Sequence, residues 1–358
     1  MKKNLLALLA ISVVLVAADD EKFIVELEKT SVTAQKFETN VRETSKNVTV
    51  ISEDEIKKSG AKSVVDLLKT VPGLFVGTGF GSGTVDFRGQ GESAKNNVLV
   101  LVNGVSINTI DMAGPDFSII DVSNIESIEI IPSGGVVYGD KAVGGVINII
   151  TKSEGSSVKL ETGSFGYETF GANINERIGD FAIHTDFSRT LKDGYRNNSN
   201  FRKDNFGLGL GYDINENNRI KFDYAYNESD MNYAGSLTEA ELDTNRIQAL
   251  YNLYDEYWTF LGRVTNNDIT FNKKSNYSLT YNFDKDNLNI ENIANYYSKN
   301  SNTTYTDKST RNIDSYLISN NFKVKYSNKN NNLITGIDIS EGNSKSSASW
   351  GYDEINKN

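Results

Sequence analysis

Residues 206–214 read FGLGLGYDI, and residues 220–227 read IKFDYAYN. In the first stretch Phe206, Leu208, Leu210, Tyr212 and Ile214 alternate with Gly207, Gly209, Gly211 and Asp213. In the second, Ile220, Phe222, Tyr224 and Tyr226 alternate with Lys221, Asp223, Ala225 and Asn227. Successive side chains of a strand point to opposite faces, so a period of two means one apolar face and one polar face. Residues 181–189 and 277–283 repeat the pattern. Short polar breaks at 215–218, 284–287 and 327–332 separate strands, whereas 231–244 is a longer interruption. Short turns alternating with long loops are expected of an outer-membrane β-barrel. A soluble sandwich or solenoid with one wet face shares the alternation.

Composition narrows the choice. The chain has 358 residues, 37 Lys and Arg against 47 Asp and Glu, and a formal net charge of −10. It has no Cys and one His, which excludes a disulfide framework, a thiol nucleophile, Cys-ligated zinc or iron–sulfur, and any site built from two histidines. A sequence pI of about 4.9 is the wrong sign for general nucleic-acid binding. Only 38% of residues are hydrophobic, yet 10% are aromatic. A disordered chain is poor in aromatics, so low hydrophobicity here fits strands with one polar face.

The first 18 residues read as a secretory signal peptide. Lys2 and Lys3 precede an apolar stretch from Leu5 to Val16, and small residues Ala17 and Ala18 come before Asp19. Cleavage after Ala18 leaves 35 basic against 47 acidic side chains, a net charge of about −12. No later apolar run reaches the ~20 residues of a spanning helix. An exported chain of this kind enters a membrane only as a barrel.

Residues 36–153 have a different texture, that of an α+β globule. Ser52 with Glu55 is a capping box opening a short helix that stops at Gly60. Residues 61–69 are expected to form a second helix, ended by Pro72 and Gly73. Val98–Val102 is an apolar run of strand length, and Asn103-Gly104 before Val105 is a hairpin signal. Ile125–Ile131 and 146–151 are further strands.

Four stretches in this region resemble the plug of TonB-dependent outer-membrane receptors. They are Val48 to Ser52 with Glu55-Ile56 and Gly60-Ala61; Ser63 to Lys69 with Val71-Pro72-Gly73-Leu74; Phe87-Arg88-Gly89 with Val98 to Val105; and Ile125 to Ile130 through Tyr138-Gly139 to Gly144-Gly145 and Thr151. Each alone is a weak motif, but four in order over about 110 residues are specific. Two positions depart from the pattern. Asn103 stands where many members have Asp, and Ile131-Pro132-Ser133 replaces the common Arg-Gly-Pro, which removes an Arg available for a plug–barrel ion pair.

The resemblance implies an organisation of signal peptide (1–18), N-terminal extension (19–35), plug (36–153) and partial barrel (154–358). Within the extension, Glu28, Lys29, Thr30, Ser31, Val32, Thr33 and Ala34 resemble the TonB box, which a periplasmic TonB-type protein captures. A short exposed segment with β-branched residues suits strand addition. The glycine-dense run Gly77, Thr78, Gly79, Phe80 and Gly81 would be a plug loop facing substrate, or a structural turn. It does not fit a phosphate-binding pattern. His184 shares the phase of Ala182 and Asp186, so it is expected to face the lumen. Asp54-Glu55 and Asp255-Glu256 read as solvated pairs, with no arrangement for acid–base chemistry.

The family's barrels have about 22 strands. Residues 154–358 suffice for about 11 or 12, at roughly 17 residues per strand with its turn. The expected fold is therefore an α+β plug followed by an incomplete antiparallel barrel, about 11 of about 22 strands, in a fragment of a longer receptor. The implied function is energy-coupled uptake of an iron–siderophore, haem or cobalamin-type substrate across the outer membrane of a Gram-negative bacterium. No enzyme chemistry and no resident cofactor or metal are expected, the chelate being cargo. The competing readings are a surface-exposed β-rich binding protein or adhesin, and a passive porin-like channel, which has no need of a plug.

Overall fold

The computed structural model describes residues 31–32, 39–40, 48–78, 83–111, 114–132, 138–139, 141–254, 259–328 and 331–349. The signal peptide expected at 1–18 lies outside them. No helix among the described residues is long and apolar enough to cross a membrane.

The chain opens with a two-residue antiparallel pair, β1 (Ser31–Val32) on β2 (Thr39–Asn40). Strand β3 (Thr49–Ser52) runs directly into α1 (Glu53–Ser59). The capping box is formed: the Ser52 hydroxyl accepts from the Glu55 amide, and the Glu55 carboxylate accepts from the Ser52 amide at 2.8 Å. Gly60 closes the helix in the left-handed region at φ 65°. Helix α2 (Val64–Leu68) begins later than the expected residue 61. Ser63 is extended, and its hydroxyl accepts from the Asp66 amide at 3.2 Å. That cap fixes the start, leaving Ala61 and Lys62 in the preceding turn.

Strands β4 (Phe75–Thr78) and β5 (Gly83–Asp86) form a hairpin, and α3 (Ala94–Asn97) leads into β6 (Val98–Val102). Asn103 and Gly104, at φ 49° and 81°, turn β6 back into β7 (Val105–Ser106) as the Asn-Gly pair predicts. Strands β8 (Ile125–Ile131) and β9 (Gly145–Thr151) complete a five-stranded sheet of order β3-β8-β9-β6-β7, in which β6 and β9 are parallel. Leu67 and Leu68 of α2 pack against Ile128, Ile130, Ile147 and Ile149 to form its core, each at most 1% exposed. Burial of each such side chain contributes roughly 1.5–3 kcal/mol.

The motif Gly144-Gly145 is a packing requirement. A Cβ on Gly145 would fall 2.5 Å from the Phe87 ring, and one on Gly144 2.9 Å from the Asn97 carbonyl oxygen.

From Ser157 onward the chain is a single antiparallel wall. Its strands are β10 (Ser157–Gly163), β11 (Tyr167–Ile178), β12 (Phe181–Lys192), β13 (Phe201–Asn215) and β14 (Asn218–Tyr233). After an excursion containing α4 (Glu239–Thr244) and the hairpin β15 (Leu250–Tyr254)–β16 (Phe260–Thr265), the wall continues. It ends with β17 (Asp268–Lys285), β18 (Leu288–Thr304), β19 (Thr310–Ser327) and β20 (Asn332–Ser349). Among the described residues eleven strands follow residue 154, close to the expected number, but nine form the wall and two lie in the loop excursion. Among the described residues the wall is open, ending at β10 and β20.

The register sorts the side chains. Ile183, Leu210, Phe222 and Leu279 are direct partners across four strands, as are Phe181, Tyr212, Ile220 and Tyr281 one row below. All but Ile220 and Tyr281 are among the exposed large hydrophobics, an apolar band of the kind that faces lipid. The opposite face carries His184, Gly209, Asp223 and Ser278 in register. The turns after Ile178, Asn215 and Lys285 each have two residues, whereas the connections after Lys192, Tyr233 and Thr304 have eight, 34 and five. The two kinds lie at opposite ends.

Two outcomes test this arrangement. Leu210→Arg places a cation in the apolar band and should lower the stability of the wall in bilayers by about 2–4 kcal/mol, read by urea titration of vesicle-inserted protein. Gly145→Ala should cost about 1–3 kcal/mol through overpacking against Phe87, read as faster amide exchange along β9.

Candidate functional site

The alternation that makes the outer face apolar makes the inner face polar. One inner row runs Ser188, Asn205, Asn227, Lys274, Lys299 and Ser315 across β12, β13, β14, β17, β18 and β19. Against it lie Asp111 and residues 114–121 between β7 and β8, with Asp111, Asp116 and Asp121 five residues apart. The Asp111 carboxylate accepts from Lys299 Nζ at 2.5 Å, and Asp116 pairs with Lys274. Asp121 lies 3.6 Å from Lys159 Nζ on β10. The two lysine side chains on β17 and β18 are each 10% exposed, and their carboxylates 13% and 2%. Charges this buried are tolerated only when paired.

Further contacts hold the same interface. Lys62, just before α2, reaches Glu161 on β10 at 2.8 Å. Inside the first unit, Lys152 bridges Glu53 of α1 at 2.9 Å and the Ser123 carbonyl at 2.7 Å. The buried apolar clusters are made of residues from the first unit alone. Its contacts with the wall include these ion pairs together with apolar approaches, Ile293 of β18 to Gly104 and Ile110 to Gly342 of β20.

Two carboxylates of the first unit are tuned by their surroundings. Burial pushes Asp86 up, but the amides of Arg88, Gln90, Gly91 and Gly89 outweigh it and hold its carboxyl below the ordinary value. Arg88 and Gly91 donate at 2.9 and 2.8 Å, which fixes the Phe87-Arg88-Gly89 turn. Burial likewise raises Asp121. The Ser123 hydroxyl and amide with the Lys159 and Lys203 ammonium groups outweigh that, and the net shift is downward.

A cavity of about 630 Å³ separates the first unit from the wall. Asp116, Lys274 and Asn227 border it toward the long-loop end, Arg177 and Arg219 toward the short-turn end, and Gly207, Gly209 and Gly211 form its thin side. A Cβ on Gly207 would overlap the Asp186 carboxylate, and one on Gly209 would meet Asp223 at 2.8 Å. The glycines thus make room for charged neighbours to lean over β13. His184 lines this cavity, bonded to Asn175 and, at 2.8 Å, to Asp186, as its lumen-facing phase predicts.

The residues singled out in the sequence fall as follows. Ser31 and Val32 pair with Thr39–Asn40, while Glu28, Lys29, Thr30, Thr33 and Ala34 lie outside the described residues. Gly77 and Thr78 end β4, and Gly79, Phe80 and Gly81 lie outside the described residues. Glu55 is occupied by the capping box and Asp54 by Lys58 at 3.7 Å on the surface. Asp255 and Glu256 are outside the described residues. The aspartates at 111, 116 and 121 and their lysines escape sequence reading. Their even spacing is visible, but their partners are not.

A family model described as the TonB-dependent Receptor Plug Domain matches residues 40–146. The fold is that of a TonB-dependent receptor, a plug with part of its barrel. Its relatives include two proteins named vitamin B12 transporter BtuB. That of Vibrio vulnificus is 34% identical over 223 residues, 58% of this chain and 35% of the relative. That of Photobacterium profundum is 30% identical over 256 residues, 66% and 41% respectively. Among solved structures, the ferric citrate transporter FecA in its unliganded form superposes with a TM-score of 0.69 at 16% identity, covering 86% of this chain and 49% of that one. The ferripyoverdine receptor of Pseudomonas aeruginosa gives 0.67 at 13% identity, covering 89% and 45%. The chain thus spans less than half the length of these relatives.

The downward shift of Asp121 sets a pH dependence. A carboxyl ionising more readily in the folded state stabilises fully above its unfolded value, about pH 4, and loses that contribution as pH falls through the lower native value. Plug amides around 121–124 should therefore gain exchange below about pH 4. In Asp121→Ala they should exchange faster already at pH 7, from the loss of roughly 1.5–3 kcal/mol of charged hydrogen bonding, with no further acid step from this group.

Proposed function

We propose that this chain is the plug and part of the barrel of an energy-coupled importer in the outer membrane of a Gram-negative bacterium. Residues 1–18 would be its signal peptide, 19–35 the extension with the TonB box, 36–153 the plug and 154–358 the barrel portion. The cargo would be a scarce, bulky metal chelate, haem or a cobalamin, bound between outer loops and the plug, with residues 77–81 contributing to that face. Glu28 to Ala34 would be captured by a TonB-type periplasmic protein as an added strand, and mechanical work on the plug would open the path.

The observation that carries this reading is the mode of attachment of the plug. A unit with its own apolar core sits against a polar wall through ion pairs and hydrogen bonds. Exchangeable contacts of that kind let the unit move without unfolding. The names of the relatives, which include transporters of vitamin B12 and of ferric citrate, agree with uptake of a chelate.

Val32→Pro tests it. Proline removes a ladder donor and blocks strand addition. Uptake of labelled cobalamin or ferric chelate by cells producing the receptor should fall to the level of cells lacking TonB, with surface abundance unchanged. Unaltered uptake would remove energy coupling through this segment.

A further inference from the structure

Lys274 and Lys299 are direct register partners on adjacent strands, and both face the lumen. Like charges placed opposite one another in an antiparallel pair repel. The inner-face neighbours continuing their row, Asn227 on one side and Ser315 on the other, are neutral. Compensation comes instead from the plug, Asp116 on Lys274 and Asp111 on Lys299. The barrel wall therefore holds a two-cation site, and the plug supplies the two carboxylates that fill it.

We propose that this lysine pair is an anion-binding site in the barrel wall, masked by Asp111 and Asp116, and that a small polyanionic cargo displaces the two plug carboxylates from it. The exchange makes and breaks no covalent bond: two carboxylate contacts leave and two carboxylate or phosphate oxygens of the ligand replace them. Its consequence is release of Asp111 and residues 114–121 from the wall when cargo arrives.

The pair lies nearer the long-loop end of the wall than the short-turn end. Lys274 is six residues from the start of β17 at Asp268, and Lys299 five from the end of β18 at Thr304. That is about 20 Å along a tilted strand. Lys274 and Asp116 border the cavity between plug and wall at its end nearer the long loops, while Lys299 and Asp111 are not among its lining residues. Asn227, next to Lys274 in the row, borders the same cavity. It is 2% exposed, and its Oδ1 has no hydrogen-bond partner in the protein. It offers an acceptor to a ligand hydroxyl beside the two cations. The chemistry selects an anionic, hydroxyl-bearing chelate and disfavours a corrin, whose single phosphodiester charge leaves one lysine unpaired.

This inference rests on the importer reading for its biological meaning, but its test is binding by the full chain in detergent and needs no energy coupling. The probe is citrate, titrated calorimetrically at 50 mM salt, with amide exchange of residues 114–122 followed in parallel. Citrate should bind the wild type weakly and raise exchange in that segment. Asp111→Asn with Asp116→Asn should bind citrate at least about tenfold more tightly, because the site is unmasked. Lys274→Gln with Lys299→Gln should show neither effect. Asp116→Asn alone should give an intermediate gain and serves if the double variant does not fold. Equal or weaker citrate binding in the aspartate variants, or binding that survives loss of both lysines, would reduce the pair to a plain plug–wall contact. If citrate behaves as expected while Val32→Pro leaves uptake unchanged, the site stands and the importer reading falls.

Discussion

A strand that crosses hydrocarbon must give every backbone N–H and C=O a partner on a neighbouring strand. The rest of this structure depends on that constraint. It requires long uninterrupted antiparallel ladders, and β17 and β19 each supply 18 residues of one. It fixes the side-chain period at two, since a one-residue slip would move every apolar residue to the other face. It also confines irregular backbone to the strand ends, where the α4 and β15–β16 excursion is found.

The second consequence is electrostatic. A wall that is apolar outside and polar inside presents charges to its own lumen, and Lys274 and Lys299 show how unfavourable that is without a partner. The plug answers it with aspartates placed at intervals on one irregular segment. Its sheet and helices hold a buried apolar core of their own. The β6–β7 hairpin and the Gly144-Gly145 contact with Phe87 belong to the body of the plug. The carboxylates at 111, 116 and 121 belong to the interface.

Local physics makes most of this fold legible. The Ser52–Glu55 box, the Asn103-Gly104 turn and the dyad strands each depend on residues within a few positions of one another, and each appears where its pattern predicts. Helix α2 starts later than its pattern suggests because Ala61 and Lys62 are compatible with helix, while the cap that excludes them is a single hydroxyl on Ser63. The strand count is close, but the pattern overcounts the wall itself. Among the described residues, Leu250–Tyr254 and Phe260–Thr265 are strands that pair only with each other. The site is least legible. Asp111 and Lys299 are 188 residues apart, and no pattern within either segment names the other. Their meeting follows from strand register, barrel curvature and plug placement together.

Ionic attachment also fits what a movable plug requires. An interface buried by large apolar side chains would be released only by exposing that surface to water, at roughly 25 cal/mol per Å². A carboxylate–ammonium pair behaves differently. Separating its members in a dry interior is costly, but the cost falls once water or another anion takes the vacated place. The resistance of such an interface therefore depends on what is available to replace the lost partner. Lys274 and Asp116 sit on the border of a cavity large enough to admit one. The Ile-rich core of the plug has no comparable exchange partner. Hydrophobic burial holds the plug together, and exchangeable charge is among the contacts between plug and wall.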